Sequence, residues 1–284
     1  MEKNIPLLGA HVSAAGGVSN AIDNGEALKC AAIQIFTKNQ RQWFAPELKP
    51  EESGLFRQKW SKSGIKSIVS HSSYLINLAS PDDVLREKSI DSFIDEINRS
   101  DNLGLTGVVF HPGSHVGAGE SKGLANVIKS INLIIEKTAE SKSKIILETT
   151  SGQGSSLGYK FEHLRDIIAG IENKNRMGVC IDTCHIFCAG YDIRTGEEYE
   201  KTVKLLDSII TLKNIIAIHF NDSKNDFGSG KDRHECVGKG LIGKKAFELF
   251  MNDNRFEDIP KILEIPGGDK AFKKDLRILR GLIR

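Results

Sequence analysis

A chain of 284 residues, 39% hydrophobic and 27% charged, has material for a large core and is too mixed for a disordered or low-complexity polymer. Its formal charge of +2 is too small to announce a nucleic-acid partner, so a phosphate-binding surface would have to come from local clustering or bound cations. No stretch approaches the ~18 apolar residues of a membrane span, MEKNIPLLGAHVSAAGG at the start lacks a secretory apolar region, and an odd five cysteines argue against a disulfide framework. A cytoplasmic protein is expected.

In chain order, short apolar runs bounded by turns read as strands. LLGAHV (7–12) comes first, containing His11, and AAIQIFT (31–37) leads into the loop TKNQRQW. SIVSHSS (67–73) carries His71 and is followed by VLREKSIDSFIDEINRSDNLG, whose apolar residues recur at three and four spacing as in an amphipathic helix. GVVFHPG (107–113) carries His111 and precedes the helical GLANVIKSINLIIEKTAES; KIILETT (144–150) carries Glu148 and precedes KFEHLRDIIAGIE. MGVCID (177–182) ends on Asp182, with YEKTVKLLDSIITL as a later helix. IIAIHFND (215–222) carries His219, KILEIPG (261–267) carries Glu264, and KAFKKDLRILRGLI is a closing helix.

Eight alternating βα units in a chain of this length predict one closed (β/α)8 TIM barrel over 1–284 rather than an open doubly wound sheet. The open alternative would favour a G-x-G-x-x-G loop after the first strand, and AHVSAAGGVSNA has glycines in another order.

His71, His111, Glu148, Asp182, His219 and Glu264 then fall at the ends of the third to eighth strands, at separations of 40, 37, 34, 37 and 45 residues. Each step is about one βα unit, so a barrel gathers all six at the C-terminal mouth of its strands, where such folds place chemistry. His185 follows just past the sixth strand. Asp232 and His234, two apart in SGKDRHECVGKG, would turn to one side of an extended segment.

A single His or Glu at a strand end is ordinarily a hydrogen-bonded polar residue. Nine together strain that reading, because desolvated like charges are costly unless neutralised, and divalent cations remove the cost. Imidazole and carboxylate suit zinc or manganese, and nine ligands at three to four each suit a cluster of three ions. Cys180, Cys184 and Cys188 are rival ligands, but their apolar surroundings and the lack of a C-x-x-C pair favour packing. His163 reads as an ordinary helix residue, His115 as a loop residue, and His11 as either packing or support for a ligand.

GVCIDTCH, FHPGSH, HSSYLINLAS, TKNQRQW and the HFNDSK…DRHE pair, collinear over nearly the whole chain, resemble the endonuclease IV family of apurinic/apyrimidinic endonucleases. The resemblance implies a barrel with three zinc ions, manganese being an alternative at one position, acting on double-stranded DNA with abasic sites or blocked 3′ ends. It implies that the first ion takes His71, His111 and Glu148. The second shares Glu148 and adds Asp182, His219 and Glu264; the third takes His185, Asp232 and His234. Glu148 and Glu264 are the expected catalytic carboxylates. It further implies cleavage 5′ to the abasic site, leaving a 3′-hydroxyl and a 5′-deoxyribose phosphate, with DNA contacts from Gln40, Arg41 and Tyr74. Lys38, beside Arg41, and the cations Lys224, Lys231, Arg233 and Lys239 are further candidates near phosphate, and Trp43 is expected to anchor its loop. A monomer is the simpler state, since DNA must reach the mouth.

Two rivals remain at this point. Glu148, Asp182, His219 and Glu264 alone also resemble the ligand set of divalent-metal sugar isomerases and epimerases on the same barrel, which would not need the other five residues. A protein that binds abasic DNA without cutting it would have no use for a complete ligand ring.

Overall fold

The computed structural model describes residues 6–284. Its centre is a closed barrel of parallel strands in the order β1-β10-β7-β6-β5-β4-β3-β2. These are β1 Leu8–His11, β2 Ala32–Ile35, β3 Ser67–His71, β4 Gly107–Phe110, β5 Lys144–Glu148, β6 Met177–Asp182, β7 Ile215–His219 and β10 Lys261–Leu263. All eight expected strands are present, each shorter than its apolar run except β6. The runs overshoot because their last residues already belong to the mouth loops. The segment IIAIHFND divides: β7 stops at His219, and β8 Asp222–Ser223 forms a small antiparallel ribbon with β9 His234–Glu235.

The helices are α1 Asn20–Ala27, α2 Pro50–Lys62, α3 Asp83–Leu103, α4 Glu120–Lys137, α5 Phe161–Ala169, α6 Thr183–Ala189, α7 Gly196–Ile210, α8 Lys244–Met251 and α9 Gly268–Arg280. Each of the five helices expected by name occurs within a few residues of its periodic stretch. α3 shows why its ends fall where they do. The Asp82 carboxylate accepts from Leu85 N at its start, and Gly104 takes the left-handed conformation at φ 77° that ends it. Between β1 and β2 the backbones approach so closely that a Cβ on Gly9 would lie 1.5 Å from the Ala32 carbonyl oxygen, so only glycine fits there.

The core has two layers. The larger lies between strands and helices. The smaller fills the barrel lumen with Val69, Val109, Ile146, Cys180, Ala217 and Ile262. Side chains alternate along a strand, so the residue two positions further on each of those strands faces the lumen again, one level higher. Those residues are His71, His111, Glu148, Asp182, His219 and Glu264. An apolar plug therefore sits directly beneath a polar ring, and the ring is a consequence of period two.

Candidate metal centre

Glu148 is the hub of the mouth. Its Oε2 lies 3.0 Å from His71 Nε2 and 3.2 Å from His111 Nε2, and its Oε1 lies 2.9 Å from His219 Nδ1 and 3.4 Å from His185 Nδ1. Glu264 Oε2 is 3.1 Å from His219 Nδ1, and Asp182 Oδ2 is 3.8 Å from the same nitrogen. A third set forms at the ribbon, where Asp232 reaches His185 Nε2 at 3.0 Å and His234 Nε2 at 3.2 Å. The donor atoms fall into compact groups, each within 4.8 Å: His71–His111–Glu148, Glu148–Asp182–His219–Glu264, and His185–Asp232–His234. All nine residues singled out in the sequence converge here.

The orientation of the rings shows what the groups are built for. The Nδ1 atoms of His71, His185 and His234 donate to the carbonyls of Ser72, Thr149 and Glu264 at 2.9, 2.8 and 3.0 Å, which commits their Nε2 atoms to the cavity. His219 is reversed: Nε2 donates to Gln34 Oε1 at 2.8 Å and Nδ1 faces the carboxylates. Backbone-tethered imidazoles with the other nitrogen turned inward are the usual arrangement of metal-ligating histidines. His234 Nε2 is buried and faces only carboxylate oxygens, Asp232 Oδ1 at 3.2 Å and Asp182 Oδ2 at 3.6 Å. These donors fit divalent cations that accept imidazole and carboxylate.

Without a cation, protons fill that role. Burial disfavours the charge on Glu148 and Glu264, yet the facing imidazoles outweigh it and hold both carboxyls well below their ordinary range. Burial likewise opposes charge on His71, His185, His219 and His234, and the carboxylates prevail, raising all four, His234 to about 9. Asp232 is depressed despite burial by His185 and His234.

Supporting residues complete the ring, of which Gln34 and Asn221 are absent from the sequence reading. Gln34 is buried in β2 and donates to Glu264 Oε1 at 2.6 Å while its oxygen holds His219. His11 Nδ1 lies 2.9 Å from the same Glu264 oxygen, so β1 and β2 also face the site; of the two roles considered for His11, ligand support is the one the geometry favours. Asn221 bridges two ligands, donating to Asp182 Oδ2 at 2.6 Å and accepting from Glu264 N at 2.9 Å. Gln34 had a signal, being polar within the apolar strand AIQI, and Asn221 had one too, two places beyond His219. Asp182 also caps α6, accepting from His185 N at 2.9 Å, which fixes the distance between two ligand groups.

Cys180 lies in the apolar lumen and Cys188 against Ser223 Oγ at 3.2 Å, in packing roles. Cys184 comes nearer the cluster, its sulfur within 4.8 Å of donor atoms on Asp182 and His234. His115 and His163 stay outside: the first accepts from Gly119 N in a loop, and the second from Gly158 N within α5.

A cleft of about 920 Å³ opens over the ring, and Gln40, Arg41, Tyr74, His234 and Glu264 all line it. Arg41 and Tyr74 are exposed at its rim, with the Tyr74 ring 6.0 Å from that of His71. Lys38 departs from expectation. Its ammonium turns inward to Asp95 at 2.7 Å and to the Trp43 carbonyl, because a buried lysine needs a carboxylate partner and α3 supplies one. Trp43, expected to anchor the loop in the core, is instead half-buried outside both core layers, with Lys88 Nζ 4.7 Å from its ring centre.

Glu96 of α3, also buried, holds the two rim loops in register. It accepts from Thr37 Oγ1 at 2.8 Å and from Ser73 N at 3.2 Å, while Ser73 Oγ donates to the Gln40 carbonyl. In Glu96→Ala both donors lose a buried acceptor, so stability should fall by about 2 kcal/mol. The rim residues would lose their mutual placement, so the Kd for ligand in the cleft should rise on the order of tenfold with metal content intact. Glu96→Gln, which keeps one acceptor oxygen, should recover part of both; equal metal loss in the two variants would contradict a role confined to the loops.

A family model described as "Xylose isomerase-like TIM barrel" matches residues 22–282. A Chloroflexus aurantiacus protein named "Probable endonuclease 4" is 46% identical over 282 residues, covering 99% of both chains. The chain belongs to the endonuclease IV family. Among solved structures, endonuclease IV from Thermus thermophilus superposes with a TM-score of 0.86 at 34% identity, covering 98% of each chain. A D-tagatose 3-epimerase-like protein superposes at 0.74 with 22% identity over 96% of each chain, a likeness of fold alone. Endonuclease IV relatives and the epimerase-like protein thus share the barrel, and the side chains of the mouth must separate them. No helix among the described residues is long and apolar enough to cross a membrane.

Proposed function

We propose that the protein is an apurinic/apyrimidinic endonuclease of base excision repair, a cytoplasmic monomer whose residues 1–284 act as one domain. It hydrolyses the phosphodiester 5′ to an abasic site in duplex DNA, leaving a 3′-hydroxyl and a 5′-deoxyribose phosphate, and removes 3′-blocking groups at the same centre. The observation that carries this reading is the division of nine mouth ligands into three groups, two of them joined by Glu148. A sugar epimerase would need only Glu148, Asp182, His219 and Glu264; the remaining five side chains build two further groups.

Three zinc ions, with manganese as an alternative at one position, would be held by these groups. When bound, such ions activate water at neutral pH and neutralise charge gathering on phosphate oxygens. The chain's own residues supply the frame. Glu148 holds the first two groups at a fixed separation, and Asp182, through its α6 cap, places His185 of the third. Glu264 is oriented from two sides by Gln34 and His11, which leaves its Oε2 turned toward His219. Gln40, Arg41 and Tyr74 bear on the lesion from the rim. Although Tyr74 is exposed at the rim, partial desolvation by the cleft walls, followed by the nearby carboxylates, raises its hydroxyl, which is protonated and able to donate at neutral pH.

The deciding test pairs elemental analysis with incubation on a duplex bearing one synthetic abasic site. Three metals per chain and a single nick 5′ to that site are expected. One or two metals without a nick would move the reading to sugar epimerisation; abasic-duplex binding without a nick at full metal content would make the protein a binder. In Arg41→Ala the affinity for abasic duplex should fall roughly tenfold, about 1.4 kcal/mol, by fluorescence anisotropy, with metal content unchanged.

A further inference from the structure

On the outer face of the barrel, α9 and the end of α1 enclose a groove of about 640 Å³ whose charged lining is Lys29, Lys270, Lys273, Lys274, Arg277 and Arg280. No carboxylate lines it. All six cations are exposed, and none forms a salt bridge among the described residues, whereas Lys59, Lys201 and Arg255 elsewhere are each paired with a carboxylate. Six exposed cationic side chains border one groove, their aliphatic stems forming most of its wall, and in a chain whose total is +2 they leave the rest of the protein at −4. Lys274 has the buried Asp275 carboxylate as an electrostatic neighbour, but none of the six is within ion-pair distance of a described carboxylate, which favours an anionic partner.

The position of the groove indicates which anion. Gly268, Asp269 and Phe272, in the first turns of α9, form part of the mouth cleft, while Lys270, Lys273, Lys274 and Arg277 of the same helix face the groove. The four follow the i, i+3, i+4, i+7 spacing of a single helix face, so their charges form a row leading away from the mouth. A helix of 13 residues is about 20 Å long, the length of about six base pairs. Arg280 donates to the Lys29 carbonyl at 2.6 Å and closes the far end.

We infer that this groove holds the phosphate backbone of the duplex flanking the lesion, on one side only, and contributes sequence-independent affinity. The inference rests on the DNA reading above. An acidic protein surface is the competing partner; a row of cations continuous with the site where DNA is cut favours the duplex.

The experiment uses the full-length, zinc-loaded protein and its triple variant Lys273→Gln/Lys274→Gln/Arg277→Gln. The probe is a lesion-free duplex three helical turns long, followed by anisotropy over a salt series. Loss of three phosphate contacts should make the slope of log K against log salt shallower by about two to three. Affinity at low salt should fall tenfold or more, with melting temperature and metal content as in the wild type. On abasic duplexes, lengthening one flank but not the other should lower the wild-type KM, and the variant should lose that gain. An unaltered slope, or selective loss of polyglutamate binding with the DNA slope intact, would overturn the assignment. Because the lesion-free probe requires no cleavage, a wild-type protein that failed to nick abasic DNA would remove the endonuclease reading without obscuring the slope.

Discussion

Glu148→Gln is expected to lower nicking of an abasic duplex by at least about a thousandfold, equivalent to the several kcal/mol of transition-state stabilisation that bound cations supply. The substitution hardly changes shape, so its effect is electrostatic. One carboxylate oxygen faces His71 and His111 and the other faces His219 and His185, all within 3.4 Å. The amide removes the negative charge common to two ligand groups and turns an NH2 donor toward imidazole nitrogens. The third group, His185–Asp232–His234, does not contain Glu148. Metal content should therefore fall from three per chain toward one, while circular dichroism stays that of the wild type. Retention of all three metals with nicking within tenfold of wild type would show that Glu148 does not bridge.

Stripping the metals with a chelator is expected to abolish nicking and to reverse the pH dependence of stability. The barrel should persist, since both apolar layers lie apart from the ligands. In the stripped protein His71, His185, His219 and His234 have folded pKa values raised above the ordinary ~6.5, His234 to about 9. Their contribution is complete below about pH 6.5 and is lost as pH rises through the folded values. Glu148, Glu264 and Asp232 are depressed, so their contribution is present above about pH 4 and is lost as pH falls through their folded values. The stripped protein should accordingly be most stable between about pH 4.5 and 6.5 and should lose melting temperature toward pH 9. The zinc-loaded protein should show the opposite slope over that upper interval, because metal binding requires deprotonated imidazole and stabilises the folded state by mass action. Calorimetric scans of both forms from pH 6 to 9 provide the comparison; parallel slopes would mean that these histidines do not exchange protons for metal.

Both expectations rest on residues legible in the chain itself, and the reason is local. The one-unit spacing from His71 to Glu264 and the step of two from each lumen residue depend only on strand periodicity and chain length. They determined the barrel, the mouth and the six strand-end residues that gather there, which His185, Asp232 and His234 join from the segments beyond β6 and β7. The sequence could not show which nitrogen each histidine turns inward, since that depends on carbonyls such as Thr149, 36 residues from His185. Nor could it show that Gln34 serves Glu264, 230 residues away, or that Lys38 folds inward to Asp95 while Arg41 stays exposed. The row on α9 was equally hidden, because its lysines look like those of any solvated helix until none proves to lie within ion-pair distance of a described carboxylate. Periodicity is written along the chain, but ring orientation, ion pairing and surface charge depend on which distant atoms packing brings within a few ångströms.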